Sequence, residues 1–416
     1  MDFEWQSTHS ERRLRSGDHP MSELESILLA YEKVSRAHRV AALASVVSVS
    51  GSTYRRIGAH MLITDDGEVT GAISGGCLER DVRRHAMWVM QSGKPTHLVY
   101  DSTGDDDGTE DAFALGCNGV VEVLVERLLP EDAYMAFLGR CMPGPESGVV
   151  ATVFASGPGA ATTTGSRLLW CAGKTPLALG LEDAAQVQAL AENARSVLAS
   201  GISSTRTLES GAGRLAVCFE IIEPPPRLAI FGGGHDAVPV AALAKAVGIR
   251  VIVVDPRPGH ATRSRFPTVD GLMAAEPQAA VDALALDGSS LAVVMNHNYR
   301  QDLAALRALL PTPVPYLGVL GPRRRTGRLL ADLAASDCVA TEKQLARLYS
   351  PVGLDLGAET PAEVALAIVA EMKAVLAGRR GGPSRERSGT LHDRADPRSD
   401  SAHRIERRLE SIRAVA

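Results

Sequence analysis

The sequence predicts an α/β protein with two domains: an N-terminal α+β domain and a C-terminal doubly wound domain built on a parallel sheet. The chain has 416 residues, which is long for one hydrophobic core. After residue 227, short apolar strands alternate with helices, as they do in parallel sheets. A run of three prolines at 224–226 separates the two patterns, because proline continues neither a helix nor a central strand. We therefore expect domains over 22–223 and 227–378, between a disordered tail over 1–21 and a polar tail over 379–416.

The N-terminal domain is predicted from alternating and helical apolar patterns. A helix is expected over 24–34 and another from Leu78 to about Met90, where apolar residues recur at helical spacing. Strands are expected over 40–50, 60–64, 68–73, 96–100 and 120–126. Asp66-Gly67 is typical of a hairpin turn. Residues 130–223, with strands near 149–155 and 214–222, are assigned to the same domain, and the chain shows no internal repeat.

The C-terminal domain is predicted from short strands that are almost purely apolar. They are expected over 228–231, 249–254, 291–295 and 316–320, with a helix over 238–247. Thr360, Pro361 and Glu363 form a capping-box pattern that begins a last helix, and Gly378 ends it. A short amphipathic helix is expected over 404–415.

Composition excludes several function classes. Hydrophobic residues make up 45% of the chain and charged residues 22%, and the net charge is −5, which gives no field that would attract nucleic acid. No apolar run approaches the roughly 20 residues that span a bilayer. The first twenty residues lack the apolar segment of a secretory signal, so we expect a cytoplasmic protein whose six cysteines stay reduced.

A glycine-rich turn follows the first strand of the C-terminal domain. Gly232, Gly234, His235 and Ala237 fit the pattern G-x-G-x-x-A at the start of a helix, and Asp255 ends the next strand. In dinucleotide-binding folds the turn contacts phosphate and the carboxylate accepts hydrogen bonds from ribose hydroxyls. The pattern predicts a site for NAD, the alternative being a domain of this fold that binds no nucleotide.

Polar clusters follow three strands of the same domain, where ligands of parallel sheets bind. They contain Asp255 with Arg257, His297 with Asp302, and the arginine run 323–325, of which Arg323 and Arg324 are candidate phosphate ligands. His297 is a candidate for acid–base or ligand chemistry. The alternative for His297 is a loop histidine that only forms hydrogen bonds. The alternative for the arginine run is the solvent-exposed start of a helix.

A second glycine-rich turn carries a thiol. Ser74, Gly75, Gly76 and Cys77 join a strand to the helix predicted from Leu78, so the thiol lies at the positive end of a helix, where the thiolate is stabilised and glycine amides can face an anion. Cys117 lies between glycines in a second turn. Their separation does not fit a zinc site. The alternative for Cys77 is a small apolar residue that fills a gap, as we expect for Cys141, Cys171, Cys218 and Cys338.

Together these motifs resemble the XdhC/CoxI family. The resemblance rests on Gly51–Ala59, on the Ser74–Glu79 turn and on Cys117 in the first domain, and in the second on the motifs at 230–235, 254–257, 320–324 and 353–363. Tyr54, Asn118 and Pro322 depart from the family pattern. The resemblance implies an N-terminal XdhC/CoxI-type domain and a Rossmann-like domain.

The family implies a chaperone rather than an enzyme. Such a factor binds molybdenum cofactor (molybdopterin), keeps it available to a cysteine desulfurase, and delivers it to a molybdenum hydroxylase of the xanthine dehydrogenase or CO dehydrogenase type. Arg55, Arg56, Glu79 and the Gly75-Gly76 turn would then hold the cofactor, with Cys77 and Cys117 near the metal, and a homodimer is expected.

Two other functions stay open from the sequence. An NAD(P)-dependent oxidoreductase would explain Gly232, Gly234 and Asp255, but it would leave the Cys77 turn without a role. No tyrosine in the chain has a lysine four residues later, the commonest proton-donor pattern beside a nicotinamide. A nucleotide-sensing adaptor for a hydroxylase complex is the third possibility.

Overall fold

The computed structural model describes residues 22–103, 118–142, 146–157, 162–210 and 213–386. The predicted tail over 1–21, the helix over 404–415 and Cys117 lie outside the described residues. The chain divides into two compact units, of which the first includes Glu23–Pro224 and the second includes Ser22 and the chain from Pro225 onward. No helix among the described residues is both long and apolar enough to cross a membrane.

In the part of the first unit that the structure describes, there are four helices and two five-stranded antiparallel sheets. The helices are α1 (Glu23–Arg36), α2 (Glu79–Ser92), α3 (Ala133–Cys141) and α4 (Ala184–Ser200). The strands of the first sheet are β1 (Ala41–Gly51), β2 (His60–Thr64), β3 (Val69–Gly71), β4 (Thr96–Asp101) and β5 (Gly119–Leu128). Those of the second are β6 (Gly148–Ser156), β7 (Arg167–Cys171), β8 (Leu177–Leu179), β9 (Ser204–Ser210) and β10 (Gly213–Ile222).

The two sheets repeat one topology, so the prediction of no internal repeat is wrong. The first has the order β3-β2-β1-β5-β4 and the second β8-β7-β6-β10-β9. Each set of strands is preceded by one helix, α1 or α3, and has the other, α2 or α4, between its third and fourth strands. The unit therefore consists of a first repeat, α1 to β5, and a second repeat, α3 to β10.

The strand registers give the residue-by-residue correspondence. Val46 pairs with Val123 in the first repeat, and Val153 pairs with Val217 in the second. Each pairing is followed by a β-bulge, which sets Val47 in β1 and Phe154 in β6 at equivalent positions. Because bulges sit at specific places in a sheet, a shared bulge supports a common architecture.

Each repeat contributes a buried glutamate that contacts a basic residue of the other. Nε2 of His60 in β2 lies 2.8 Å from Oε1 of Glu220 in β10, and at the equivalent positions Arg167 in β7 forms an ion pair with Glu126 in β5. Each glutamate lies against a glycine of the other repeat. A Cβ on Gly58 would come within 2.9 Å of Glu220, and one on Gly165 within 2.7 Å of Glu126. The two halves therefore face each other as pseudo-symmetric partners.

Hydrophobic clusters hold this arrangement together. On the outer face of each sheet, α2 packs on the first and α4 on the second through apolar residues at helical spacing, such as Val82, Ala86 and Val89 in α2. Between the sheets, Val47 and Leu124 meet Phe154 and Cys218. The sequence patterns did not predict β7, β8, α4 or β9 in the second repeat.

The second unit is a six-stranded parallel sheet with helices on both faces. Its strands are β11 (Arg227–Phe231), β12 (Arg250–Val254), β13 (Gly271–Met273), β14 (Ser290–Val294), β15 (Tyr316–Val319) and β16 (Leu348–Tyr349). Its helices are α5 (Ala237–Ala246), α6 (Pro277–Leu284), α7 (Tyr299–Leu309), α8 (Arg323–Ala334), α9 (Glu342–Ala346) and α10 (Pro361–Leu376).

The strand order is β13-β12-β11-β14-β15-β16, in which the chain reverses direction across the sheet between β11 and β14. This is the order of the Rossmann fold, and it confirms the predicted doubly wound sheet. The helices α5 and α10 cover one face, and α6, α7 and α8 cover the other. The capping box predicted at Thr360 and Glu363 is confirmed at the start of α10.

Candidate functional site

The Cys77 thiol is exposed at the entrance to α2. The helix begins at Glu79 with Leu78 as its N-cap residue, so Cys77 comes one residue before the cap. The Cys77 Sγ lies 3.4 Å from Ser74 Oγ. The thiol is therefore accessible to a ligand from solvent, as the sequence predicts, and it does not fill a gap in the core.

Ser74 organises the turn from a buried position. Its Oγ accepts hydrogen bonds from the amides of Gly76, at 3.1 Å, and Leu78, at 3.2 Å. It donates to the carboxylate of Glu79, which also accepts from the Ser74 amide at 2.8 Å. The expectation that the turn leaves its amides open to an anion is thus wrong for Gly76, because the Ser74 hydroxyl takes that amide.

Glu79 is ionised in this arrangement. Burial raises the pKa of its carboxyl group, but the hydrogen bonds from the Ser74 hydroxyl and amide outweigh burial and leave the pKa below its usual value. The negative charge lies in the first turn of α2, where the helix dipole favours it. Glu79 therefore fixes the shape of the turn, and the Cys77 thiol is left exposed beside it.

Two segments of the family resemblance meet at this end of the first sheet, and Asn118 lies next to one of them. The ring of Tyr54, in the connection from β1 to β2, lies 3.9 Å from the position that a Cβ on Gly75 would take. The amide of Ser52, in the same connection, donates to the Asn118 carbonyl at 3.0 Å. Asn118 follows Cys117 in the sequence. The Gly51–Ala59 segment thus links the Cys77 turn to the described residue next to the second cysteine.

The two candidate phosphate ligands in this segment differ in their surroundings. Arg55 forms an ion pair with Glu23 of α1, at 2.5 Å. Arg56 is exposed on the loop surface. Arg55 is therefore positioned by a partner in its own repeat, and Arg56 lies on the accessible surface of the loop.

Among the residues that the structure describes, the second repeat has neither the cysteine turn nor the two arginines. Thr162 and Thr163 stand at the positions of Arg55 and Arg56, since Gly165 and Ser166 correspond to Gly58 and Ala59 through the same backbone hydrogen bonds. The connection from β8 to α4, residues 180–183, contains neither a cysteine nor paired glycines. The fold can therefore be built without the Cys77 turn or the two arginines.

In the second unit, the predicted ribose ligand is used by the protein itself. Asp255 is fully buried, and its carboxylate accepts from the Gly233 amide at 2.7 Å and from the Arg257 guanidinium at 2.6 Å. Burial raises the pKa of Asp255, but these donors outweigh it and lower the pKa below its usual value. The His260 carbonyl covers the turn, only 2.8 Å from where a Cβ on Gly233 would be. Asp255 is thus a structural anion that holds the glycine turn against the loop after β12.

A cavity of about 420 Å³ opens instead beside the ends of β14 and β15. His297 lines it in a left-handed backbone conformation, with φ of 56°, and its Nε2 lies 2.6 Å from Asp236. Arg325 lines it too and forms an ion pair with the buried Asp302, at 2.5 Å. The sequence identified His297 and Asp302 but not Asp236, which lies within the glycine turn and could have been noticed there.

Other predicted residues of this unit lie outside the cavity lining. Arg323 and Arg324 are exposed at the start of α8, as in the alternative interpretation of residues 323–325 as a solvent-exposed helix start. His235 is exposed beyond Gly234. Across the described residues, no group of three or more His, Cys, Asp or Glu side chains forms a metal site. Cys77 stays a candidate soft ligand, and its predicted companion Cys117 lies outside those residues.

Comparison with known proteins identifies both units. The family model described as "XdhC and CoxI family" matches residues 34–101, and the model described as "XdhC Rossmann domain" matches residues 228–372. A Bacillus subtilis (strain 168) protein, described as a probable xanthine dehydrogenase subunit, is 33% identical over 334 residues, which cover 80% of this chain and 92% of that protein.

Two further matches span most of the chain. The Escherichia coli (strain K12) molybdenum cofactor insertion chaperone PaoD is 24% identical over 339 residues, covering 80% of this chain and 83% of that protein. A crystal structure from Bacillus halodurans, described as a xanthine dehydrogenase, has a TM-score of 0.68 and 26% identity, covering 88% of this chain and 98% of that one. With both units matched in order along the sequence, the chain belongs to the XdhC and CoxI family.

Proposed function

We propose that this chain is a molybdenum cofactor chaperone that holds the cofactor for sulfuration and delivers it to a molybdenum hydroxylase of the xanthine dehydrogenase or CO dehydrogenase type. The observation that carries the proposal is the convergence of the Cys77 turn with the Gly51–Ala59 segment at one end of the first sheet. Relatives described as a cofactor insertion chaperone and as a probable component of xanthine dehydrogenase support it.

The chemistry of these residues suits such a cargo. A thiolate is a soft ligand that suits a sulfur-rich metal centre. Cys77 is exposed, and Gly75 beside it presents only backbone to an approaching ligand. Arg56, supported by Arg55, would attract the cofactor phosphate. In this proposal Ser74 and Glu79 shape the turn without contacting the cargo.

The second repeat strengthens the assignment. Its sheet, bulge and packing helix match those of the first repeat, yet it has threonines in place of both arginines and no cysteine turn. Residues that one copy of a fold omits are not needed to build that fold. We attribute Arg55, Arg56 and the Gly75-Gly76-Cys77 turn to cargo binding for this reason.

The chaperone acts without catalysing a reaction of its own in this proposal. Its partners are the hydroxylase and a cysteine desulfurase, it works in the cytoplasm, and it pairs as a homodimer. Hydride transfer through NAD(P) is disfavoured, because Asp255 already accepts hydrogen bonds from Gly233 and Arg257. The residues around His297 and Arg325 are proposed as a second ligand site of the chaperone.

The test replaces one thiol at a time. Wild type, Cys77→Ala, Cys117→Ala and the control Cys338→Ala are produced in a host that makes molybdenum cofactor and purified without oxygen. We expect Cys77→Ala to lose most of its molybdenum with an unchanged melting temperature, because the side chain is exposed and surface substitutions rarely affect stability. Cys117→Ala should lose less, and Cys338→Ala none.

A functional readout follows from the same preparations. Wild type should restore activity to a cofactor-free hydroxylase, and Cys77→Ala should not. If Cys77→Ala keeps its molybdenum, or loses it only together with its folded structure, Cys77 does not hold the cargo and the proposed site is wrong.

A further inference from the structure

The outer face of α2 is unusual for a solvent-facing helix surface. The exposed residues of this helix include three arginines and two large apolar side chains: Arg80, Arg83, Arg84, Met87 and Trp88. Trp88 is 49% exposed and Met87 39% exposed. The opposite face of the helix, with Val82, Ala86 and Val89, is already buried against the first sheet. We call the five exposed residues the α2 outer face.

The second repeat shows what this fold requires at the same positions. Both helices end at a left-handed glycine, Gly93 or Gly201, and both bury apolar residues against their sheets. Counting back from those glycines aligns the α2 outer face with Gln188, Ala191, Glu192, Arg195 and Ser196 of α4. Polar Arg195 and Ser196 thus replace Met87 and Trp88 without change to the architecture. The exposed tryptophan and the cluster of arginines are therefore not demands of the fold.

The composition of the face points to a protein partner with an acidic surface. Tryptophan and arginine are the residue types most enriched at interface hot spots. The ion pair of Arg84 with Asp81 is solvent-exposed, and Arg83 donates to the Gly67 carbonyl, so neither guanidinium is buried. The three arginines outnumber the two acidic residues of the same helix, Glu79 and Asp81, and this excess of positive charge would speed the approach of an acidic partner. The apolar residues would then provide the anchor once the partner has docked.

We propose that the α2 outer face docks an acidic surface of the enzyme that receives the cargo. This inference rests on the proposed function, since the recipient is the hydroxylase named there. The geometry favours it, because the Cys77 turn lies at the N-terminal end of the same helix, which is about 20 Å long. An enzyme seated on the face would lie beside the cargo without covering the Cys77 turn.

A membrane surface is the weaker occupant. Helices that lie in a lipid interface bury a broad apolar face in the bilayer. The apolar face of α2 is committed to the sheet, which leaves Met87 and Trp88 as its exposed large apolar residues.

The experiment measures binding to the hydroxylase from the same genome, purified without cofactor and immobilised. Three full-length variants are compared with wild type: Trp88→Ser, which introduces the residue found in the second repeat; the double charge reversal Arg80→Glu with Arg84→Glu; and the control Arg195→Ala on α4. We expect Trp88→Ser to raise Kd about 30-fold, as for a hot-spot tryptophan. The charge reversal should slow association and weaken its dependence on salt, and Arg195→Ala should match wild type.

Molybdenum content and melting temperature, measured on each variant, separate the two proposals. All three variants should keep wild-type molybdenum, because the Cys77 turn is unchanged. If the wild-type protein is purified without molybdenum, the proposed function is refuted. If Trp88→Ser binds the enzyme with wild-type Kd, only the docking face is refuted.

Two other outcomes would also overturn the docking face. One is Trp88-dependent binding to vesicles of phosphatidylcholine and phosphatidylserine with unchanged Kd for the enzyme. The other is a dimer, seen by sedimentation, that Trp88→Ser dissociates without changing that Kd.

Discussion

The buried ion pair between Glu126 and Arg167 joins the two repeats, and its removal gives a sharp test of the duplicated architecture. Both side chains are almost inaccessible to solvent. Arg167 also lies over the ring of Tyr134, with its guanidinium carbon 4.3 Å from the ring centre. Glu126→Gln preserves the shape of the side chain but leaves the buried Arg167 charge without its ion-pair partner.

The expected cost follows from that uncompensated charge. Removing one partner of a buried pair destabilises proteins by about 3–5 kcal/mol. For a unit of roughly 200 residues, each kcal/mol lowers the melting temperature by about 2–4 °C, so a decrease on the order of 10 °C is expected. The pseudo-equivalent change Glu220→Gln should cost less, about 1–2 kcal/mol, because the glutamine amide can still share a hydrogen bond with His60.

Thermal unfolding followed by circular dichroism measures these differences. The double variant Glu126→Gln with Arg167→Met is the matched control, since it removes both charges together. It should be more stable than Glu126→Gln alone, because replacing a whole buried pair is often nearly neutral. Two results would contradict this: a melting temperature of Glu126→Gln within about 2 °C of wild type, or a double variant that is less stable than Glu126→Gln. In either case the buried ion pair would not stabilise the contact between the repeats.

Two further predictions concern carboxylates with lowered pKa. Because the pKa of Glu79 is lowered in the native state, its ionised carboxylate stabilises that state at pH values above 4.5, the ordinary pKa of this group. This stability is lost as the pH falls through the lower pKa of the native state. Glu79→Gln should therefore reduce the melting temperature at neutral pH and flatten its decline below pH 4.5, and parallel curves for both proteins would contradict this. Asp255→Asn should destabilise the second unit by about 2–3 kcal/mol in a urea titration, without loss of molybdenum, because it breaks the ion pair with Arg257; an unchanged midpoint would contradict this.

The second unit is the part of the fold that the sequence predicts best. Its four predicted strands are short and almost purely apolar, and the residues that follow them are Gly232, Asp255, Asn296 and Gly321, so both the strands and their ends are visible in the sequence. The glycine turn at 232–234 and the capping box at Thr360 are local signals that need no tertiary information. Strand β13 and helix α9 are too short to give comparable patterns.

The repeat escaped detection because its equivalent positions share shape rather than residue type. Buried strand positions accept any apolar side chain, so Ile63 corresponds to Trp170 and Val47 to Phe154. The basic residue at the interface is a histidine in one copy and an arginine in the other. Among these positions, Gly58 and Gly165 are identical, because each must pass under a glutamate of the opposite repeat.

Contacts between side chains from different loops were the second feature that the sequence could not predict. The sequence located Asp255 at the end of its strand, but it could not reveal that Arg257 folds back onto it and that the Gly233 amide turns toward it. The same holds for His297, whose partner Asp236 comes from a different strand–helix connection. Such contacts depend on loop conformation, which alternating or helical patterns do not encode.

The duplicated unit separates structural from functional residues without recourse to any other protein. Where both repeats keep a feature, such as the bulge beside Val46 and Val153 or the buried glutamate with its basic partner, the shared sheet requires it. Where only the first repeat has a feature, the shared sheet does not require it. An exposed thiol and an exposed tryptophan must therefore be explained by something other than the fold. Cys77 lies before the first turn of α2 and Trp88 one residue before its last turn, so the features peculiar to the first repeat gather along one helix. In the proposed function, the exposed thiol would hold the cargo and the cationic face with its apolar anchor would hold the receiving protein, so one helix would position both.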